Sequence, residues 1–212
     1  MTYEKTLKAV KEAIEKSRNR NFTESVDLAI NLKNIDLSQP KNRIDEEITL
    51  PNSTGKSIKI GVFAKGEIAI QAKEAGADIL APEEIEEFGN DKNKARSLAN
   101  EYDFFIADAS LMPLIGKNLG PILGPRGKMP QPLTPDKDIT QIINKSRDII
   151  RARSKDKMTF HLKVGNKNMP IEELAENIET VLNRIESVLE KGINNIKSVY
   201  VKTTMGPAVK VM

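Results

Sequence analysis

The two ends of the chain share a residue pattern that the middle lacks, and this difference constrains the fold more than any other feature. Apolar residues alternate with polar ones over residues 26–32, 160–164 and 199–201, which is typical of strands with one buried face. Amphipathic helices are predicted over residues 3–18 and 170–191. We therefore expect one α+β domain assembled from both ends of the chain, residues 1–53 and 155–212.

The middle of the chain has a different pattern. Short apolar strands predicted at residues 58–64, 79–81 and 104–107 alternate with helices, which indicates a parallel sheet covered on both faces. Ile139, Ile142, Ile143 and Ile149 indicate a further helix. The expected fold class is thus α/β, with an α/β domain at residues 54–154 inserted into the terminal domain. Two chain crossings between the domains predict a hinge.

Composition excludes much enzyme chemistry. The chain has no cysteine and one histidine, His161, so disulfides, cysteine nucleophiles and thiolate or multi-histidine metal sites are excluded. We expect neither a metal nor a cofactor. No apolar run approaches the ~20 residues of a membrane-spanning helix, and the first 20 residues are charged throughout, so we expect a cytoplasmic protein.

Charge is unevenly distributed. The net charge is +3, yet residues 65–110 carry −6 and residues 111–157 carry +6. A basic stretch beside an acidic one favours a face for a polyanion, although folding could also intermix these charges.

A stretch rich in glycine and proline, residues 116–135, predicts an irregular loop, either ordered or mobile. It contains Gly124-Pro125-Arg126-Gly127-Lys128, which lacks the spacing of a phosphate-binding loop. We interpret it as a rigid basic loop whose Arg126 and Lys128 make a secondary contact with RNA. Residues 65–67 likewise lack a dinucleotide fingerprint.

Two short clusters beside predicted strands suggest binding rather than packing. Phe22 lies in a polar segment before the first strand, and residues 203–207 follow the last strand with two hydroxyls, a thioether, a glycine and a proline. An ordinary turn remains an alternative for the second cluster. His161 and Lys163 share the strand face that points away from the core, where they could meet RNA.

Three stretches together resemble the ribosomal protein L1 family, in its archaeal form, and the resemblance runs in order along the whole chain. The stretches are Asn21-Phe22-Thr23-Glu24-Ser25-Val26-Asp27-Leu28, then Leu111-Met112-Pro113-Leu114-Ile115-Gly116 with Leu123-Gly124-Pro125-Arg126-Gly127-Lys128-Met129-Pro130, and finally Thr204-Met205-Gly206-Pro207-Ala208-Val209. The middle stretch is highly specific to that family.

The resemblance implies a terminal domain and an inserted, Rossmann-like domain. It implies a structural constituent of the large ribosomal subunit, not an enzyme, that is a monomer off the ribosome and has no membrane partner. The expected partners are large-subunit rRNA at the mobile stalk near the tRNA exit site, deacylated tRNA whose release it assists, and its own mRNA, whose translation it represses.

The resemblance also implies which residues of the terminal domain contact RNA. From the matching motifs these are Glu12, Phe22, Ser25, Ser198, Thr204, Met205, Gly206 and Pro207. We expect Ser198, Lys202 and Thr204 to share one face of the last strand, because their spacing is even. Asn21 departs from the family, where that position is often basic.

Two other functions compete with this interpretation. A nucleotide- or phosphosugar-dependent enzyme would need a phosphate cradle and an acid–base pair, and the sequence has neither motif. A free-standing RNA-binding regulator would share the RNA surface but would not sediment with large subunits.

Overall fold

The computed structural model describes residues 3–55, 58–133 and 139–212. They form two compact units: a terminal unit, Met1–Lys56 with Asp148–Met212, and an inserted unit, Ser57–Arg147. The second crossing therefore lies seven residues earlier than the 154/155 boundary that we expected. The reason is a strand at Ile149–Arg153, which pairs within the terminal unit.

The helices and strands are numbered in chain order. The α-helices are α1 (Tyr3–Glu15), α2 (Gly66–Glu74), α3 (Pro82–Asn90), α4 (Lys92–Glu101), α5 (Met112–Asn118), α6 (Gly120–Arg126), α7 (Ile139–Arg147) and α8 (Ile171–Val188). The strands are β1 (Ser25–Leu32), β2 (Asp45–Thr49), β3 (Ile60–Phe63), β4 (Asp78–Leu80), β5 (Phe104–Asp108), β6 (Gln131–Leu133), β7 (Ile149–Arg153), β8 (Thr159–Asn166), β9 (Ile196–Thr203) and β10 (Val209–Lys210).

The terminal unit is built on an antiparallel sheet in the order β10-β9-β1-β8. Alternate residues of β1, including Leu28 and Ile30, are fully buried. They pack with the apolar stripes of α1 and α8, which include Val10, Ile178 and Ile185. Because helices cover one face, the residues between the buried ones form the opposite face, which is polar.

A second, two-stranded antiparallel sheet joins β2 to β7. Arg151 donates two hydrogen bonds to the carboxylate of Asp45, at 2.6 and 2.9 Å. The isoleucine at 149 thus begins a strand, so our prediction of helix there was wrong. Ile150 and Ala152 pack against the terminal core, and this burial outweighs the helical spacing of Ile149 with the preceding isoleucines.

The inserted unit has a fully parallel sheet in the order β4-β3-β5-β6. On β3, Ile60 and Val62 pack into a core on one face while Phe63 packs into another core on the opposite face. The α/β fold class that the sequence predicted is confirmed, with parallel and antiparallel sheets in separate units.

The stretch rich in glycine and proline is mostly helical, which corrects our prediction of an irregular loop at residues 116–133. Pro113 and Pro121 stand in the first turns of α5 and α6, where the missing N–H needs no partner. Gly127, at φ +70°, ends α6 in the left-handed conformation. Residues 134 and 135 of that prediction lie outside the described residues.

The ends of two predicted helices also differ. Helix α1 ends at Glu15 instead of residue 18, and α8 ends at Val188 instead of residue 191. Gly192, at φ +53°, begins a 3-10 helix beyond the end of α8. In the described part of the chain, no helix has both the length and the apolar character needed to cross a membrane.

Candidate nucleic-acid interface

Two loops from opposite ends of the chain meet at one end of the terminal sheet. We call residues 21–24, before β1, the Phe22 loop, and residues 204–208, between β9 and β10, the Met205 loop. The backbone N–H of Thr204 donates to the Ser25 carbonyl at 3.0 Å. The Ser25 N–H donates in turn to the Thr204 hydroxyl at 3.0 Å. The threonine side chain thus substitutes for a strand carbonyl and closes the junction between the loops.

Glu24 has a buried side chain that contacts residues of this junction. Its carboxylate accepts from the Met205 N–H at 3.4 Å and contacts Nε of Arg20 at 2.9 Å. The nearby Thr203 hydroxyl is the largest cause that lowers the pKa of Glu24, against a smaller opposing effect of burial. The carboxylate is therefore anionic and ties the Met205 loop to the Phe22 loop. Glu24 was not among the residues expected to contact RNA.

The two loops expose large apolar side chains. Phe22 is 51% exposed and Met205 is 62% exposed. Gly206 packs so tightly that a methyl group added there would overlap the hydroxyl of Thr203. Pro207 follows it and is exposed. The Met205 loop is therefore held in one conformation that presents its methionine to solvent.

The polar face of the sheet continues from these loops. Asp27 on β1 pairs with Lys163 on β8 and with Lys202 on β9, so the carboxylate lies between two lysines. Burial is the largest cause that raises the pKa of Asp27, and the two lysines and His161 act against it. His161 is exposed on this face, as its alternation predicted.

Ser198 occupies an inner position of the same face. It is buried, and its hydroxyl accepts from the Asn31 side-chain amide at 2.8 Å. The Asn31 amide oxygen accepts from the Thr159 hydroxyl at 2.7 Å. This chain of hydrogen bonds crosses three strands and presents fixed donors and acceptors. Asn31 and Thr159 were missed in the sequence, because their meeting depends on strand register.

One expected arrangement on β9 was wrong. Ser198, Tyr200 and Lys202 share the polar face, but Thr204 lies beyond the last paired residue of the strand, Thr203. Thr203 alternates with Lys202, and its side chain is buried on the core side of the strand. Thr204 therefore belongs to the loop junction and not to the face.

A cleft of about 330 Å³ lies beside the Phe22 loop and is lined by Arg18, Arg20, Asn21 and Lys167, among others. Lys167 donates to the Ser17 carbonyl at 3.3 Å and to the Arg18 carbonyl at 3.2 Å, at the end of the first helix. Although Asn21 is uncharged, its neighbours make this cleft basic.

Glu12 lies on α1, away from the loops, and its carboxylate forms an ion pair with Lys16 at 2.5 Å. It lines a separate cleft between α1 and β10. The structure thus brings most of the expected RNA contacts to the terminal unit, in two neighbouring regions.

Arg126 and Lys128 have partners within the inserted unit. The Lys128 ammonium donates to the carbonyls of Ala99 and Tyr102, at 2.9 and 2.7 Å. Arg126 donates to the Asn100 side chain at 2.6 Å. Both cations therefore stabilise the C-terminal end of α4, and a secondary RNA contact by them remains a prediction.

Metal chemistry is not indicated by this surface. Among residues 3–55, 58–133 and 139–212, no three acidic or histidine side chains are grouped so that they could hold a metal ion. What the surface offers is hydroxyls, amides, lysines and two exposed apolar side chains on a rigid sheet.

Comparison with known proteins identifies similar chains. The model of the ribosomal protein L1p/L10e family matches residues 10–207. The large ribosomal subunit protein uL1 of Methanococcoides burtonii is 62% identical over 213 residues, covering all of both chains. That of Methanocella arvoryzae is 58% identical, also over the full length of both. That of Methanothermobacter thermautotrophicus is 52% identical over 97% of this chain and 98% of its own.

Proposed function

This chain belongs to the ribosomal protein L1p/L10e family, and from that membership we propose that its loop junction and polar sheet face bind the rRNA of the large-subunit stalk. The family assigns it to the large ribosomal subunit as a structural component that binds rRNA and is not an enzyme. Its place of action is the ribosome.

The single observation that carries the assignment of the surface is the junction between Ser25 and Thr204. Two hydrogen bonds of 3.0 Å fix Ser25, the residue that follows the Phe22 loop, to Thr204 of the Met205 loop before any ligand arrives. A surface that is already ordered loses little conformational entropy on binding. Exposed apolar groups on a rigid junction are also typical of a binding site.

The proposed mechanism is recognition of RNA shape. Double-helical RNA presents 2′-hydroxyls and phosphates in a shallow minor groove, and unstacked bases are accessible in loops and bulges. The hydroxyls and amides of the Thr159–Asn31–Ser198 chain are suited to 2′-hydroxyls. Phe22 is suited to stack on a base or a sugar, and Lys163 and Lys202 to approach phosphates.

A double variant of the two exposed apolar residues tests the proposal. Phe22→Ala with Met205→Ala should weaken binding to a stalk rRNA fragment roughly 5- to 150-fold, because base–aromatic stacking contributes ~1–3 kcal/mol. The control is Ile70→Ala in the inserted unit, whose side chain is 62% exposed, as is that of Met205. Equal affinities of the two variants in filter binding would overturn the assignment of this surface.

Repression of the protein's own mRNA is part of the proposal. A surface that recognises shape binds any RNA that presents the same shape, so a matching fold in the message would compete with rRNA. The leader of the mRNA should displace the stalk fragment from the protein, and the double variant should lose both RNAs in parallel. A leader that fails to compete at high excess would remove repression from the proposal.

Assistance in releasing deacylated tRNA is also part of the proposed function. It follows from a stalk position beside the exit site, which the resemblance implies. Ribosomes reconstituted without this protein should release deacylated tRNA more slowly, as measured with labelled tRNA in a filter assay. Identical release rates with and without the protein would exclude this role.

A further inference from the structure

We propose that the RNA-binding surface continues past the edge strand β10 onto α1, where Lys5, Lys8 and Lys210 form a cleft for phosphates of the RNA backbone. This inference rests on the proposed function, because it extends the same interface to a second region. These three lysines lie outside the sequence motifs and the loop junction, and we assign them contacts with the RNA backbone.

The cleft has a volume of about 230 Å³ and is open to solvent. Lys5, Lys8 and Glu12 line it from the helix, and Lys210 lines it from β10. Residues spaced by three and four positions lie on the same side of a helix, so the three helical side chains point along one wall. The buried Ala9 also lines the cleft, so no bulky side chain fills the space between the helix and the strand.

The charge of the cleft is largely uncompensated. Lys5, Lys8 and Lys210 are all exposed, and within the described parts of the chain none of them forms an ion pair. Glu12, the one carboxylate lining the cleft, is neutralised by Lys16, at 2.5 Å. Glu4 stands one turn before Lys8 without an ion pair to it. Three exposed lysines therefore line one opening at the edge of the sheet.

The cleft is continuous with the polar face of the sheet. Lys210 pairs with Tyr200 in the register of β10 with β9, so its side chain leaves the sheet on the same side as Tyr200 and Lys202. Neighbouring strands lie only ~4.8 Å apart. Lys163, Lys202 and Lys210 thus lie on one side of the sheet, with Asp27 between the first two, and the lysines of α1 follow beyond the edge strand.

The chemistry of the cleft fits an RNA backbone better than a protein. Lysine is depleted in protein–protein interfaces, and the lining offers no exposed aromatic or large apolar anchor. Three ammonium groups fit phosphates. Glu12 repels phosphate but accepts hydrogen bonds, so it fits a 2′-hydroxyl or a base amino group between them.

Salt-dependent binding tests this inference. Each phosphate neutralised contributes ~0.7 to ~0.9 to the slope of log affinity against log salt. The triple variant Lys5→Gln, Lys8→Gln, Lys210→Gln should therefore reduce the magnitude of that slope by about 2–3 and weaken stalk-rRNA binding roughly 10- to 100-fold at 0.15 M salt. The matched control replaces three exposed lysines of the inserted unit, Lys65, Lys73 and Lys92, with glutamine.

The outcomes separate this inference from the proposed function. Unchanged slope and affinity in the triple variant, while wild type binds the fragment selectively, would overturn the cleft and leave the proposed function standing. A wild type that does not bind the fragment would overturn both. Normal binding to naked rRNA with weakened binding to whole large subunits would assign the lysines to a ribosomal protein, and would also overturn the inference. A melting temperature equal to that of wild type serves as the folding control.

Discussion

Replacing Thr204 by valine removes one hydroxyl and leaves the shape of the side chain unchanged. In the free protein this hydroxyl accepts from the Ser25 N–H at 3.0 Å and lies 3.3 Å from the Ser25 carbonyl. Because the site is exposed, water replaces the lost partner. The free energy of unfolding should therefore fall by no more than ~1 kcal/mol.

Binding responds more strongly than stability, because RNA excludes that water. The Ser25 N–H is then buried without an acceptor, which costs ~1–3 kcal/mol. Since 1.4 kcal/mol corresponds to a tenfold change, the affinity for the stalk fragment should fall roughly 5- to 150-fold. The measurement is a filter-binding titration at fixed salt, accompanied by a thermal melt followed by circular dichroism.

The matched control for this variant is Thr180→Val on α8. Thr180 is also solvent-accessible, and its hydroxyl donates to the Glu176 carbonyl at 2.9 Å. Both variants should melt close to wild type, and only Thr204→Val should bind RNA weakly. If the two variants bind the fragment equally well, the loop junction does not contact RNA and the reasoning fails.

Three further predictions concern single residues. Glu24→Gln should lower the melting temperature at neutral pH. Because folding lowers the pKa of Glu24, its contribution to stability is present above the unfolded-state pKa and is lost as the pH falls through the folded-state pKa. The difference in melting temperature between wild type and Glu24→Gln should thus shrink below about pH 4, and a difference that does not vary with pH would contradict this role. Gly206→Ala should destabilise the protein by ~1–3 kcal/mol and weaken RNA binding, because its methyl group would displace the Thr203 hydroxyl from Glu24; unchanged melting and binding would show that the loop accommodates the methyl group. Lys128→Gln should lower the melting temperature, since both described bonds of its ammonium are to carbonyls of its own unit; an unchanged melting temperature would contradict that role, and weaker RNA binding would support the secondary RNA contact.

Much of the terminal unit could be predicted from sequence because its signals are local. The alternation of Val26, Leu28, Ile30 and Leu32 predicted β1, and all four are buried. The Phe22 and Met205 loops were found because glycine, proline and exposed apolar residues beside strands are unusual. An ordinary turn was the alternative for the Met205 loop, but it does not account for the hydrogen bond from the Met205 N–H to Glu24.

The remaining features depend on contacts between distant parts of the chain. Asn31 meets Ser198 only through the pairing of β1 with β9, and no local pattern specifies that register. The burial of Glu24 depends likewise on Thr203, far along the chain. The residues around Gly124 were assigned to a loop because the stretch is rich in glycine and proline and has little periodicity. Helix α6 nevertheless holds Pro121 in its first turn, where proline is well tolerated, and Pro125 further along.

Selectivity for RNA shape is the most direct test of the account. The dissociation constant of the purified protein should be measured for the stalk rRNA fragment and for an unrelated duplex of equal length, at the same salt concentration. We expect the fragment to bind at least ~10³-fold more tightly, the lower bound typical of specific nucleic-acid recognition. Equal affinity for both RNAs would mean that only charge is recognised, which would contradict a preformed surface built by the two ends of the chain.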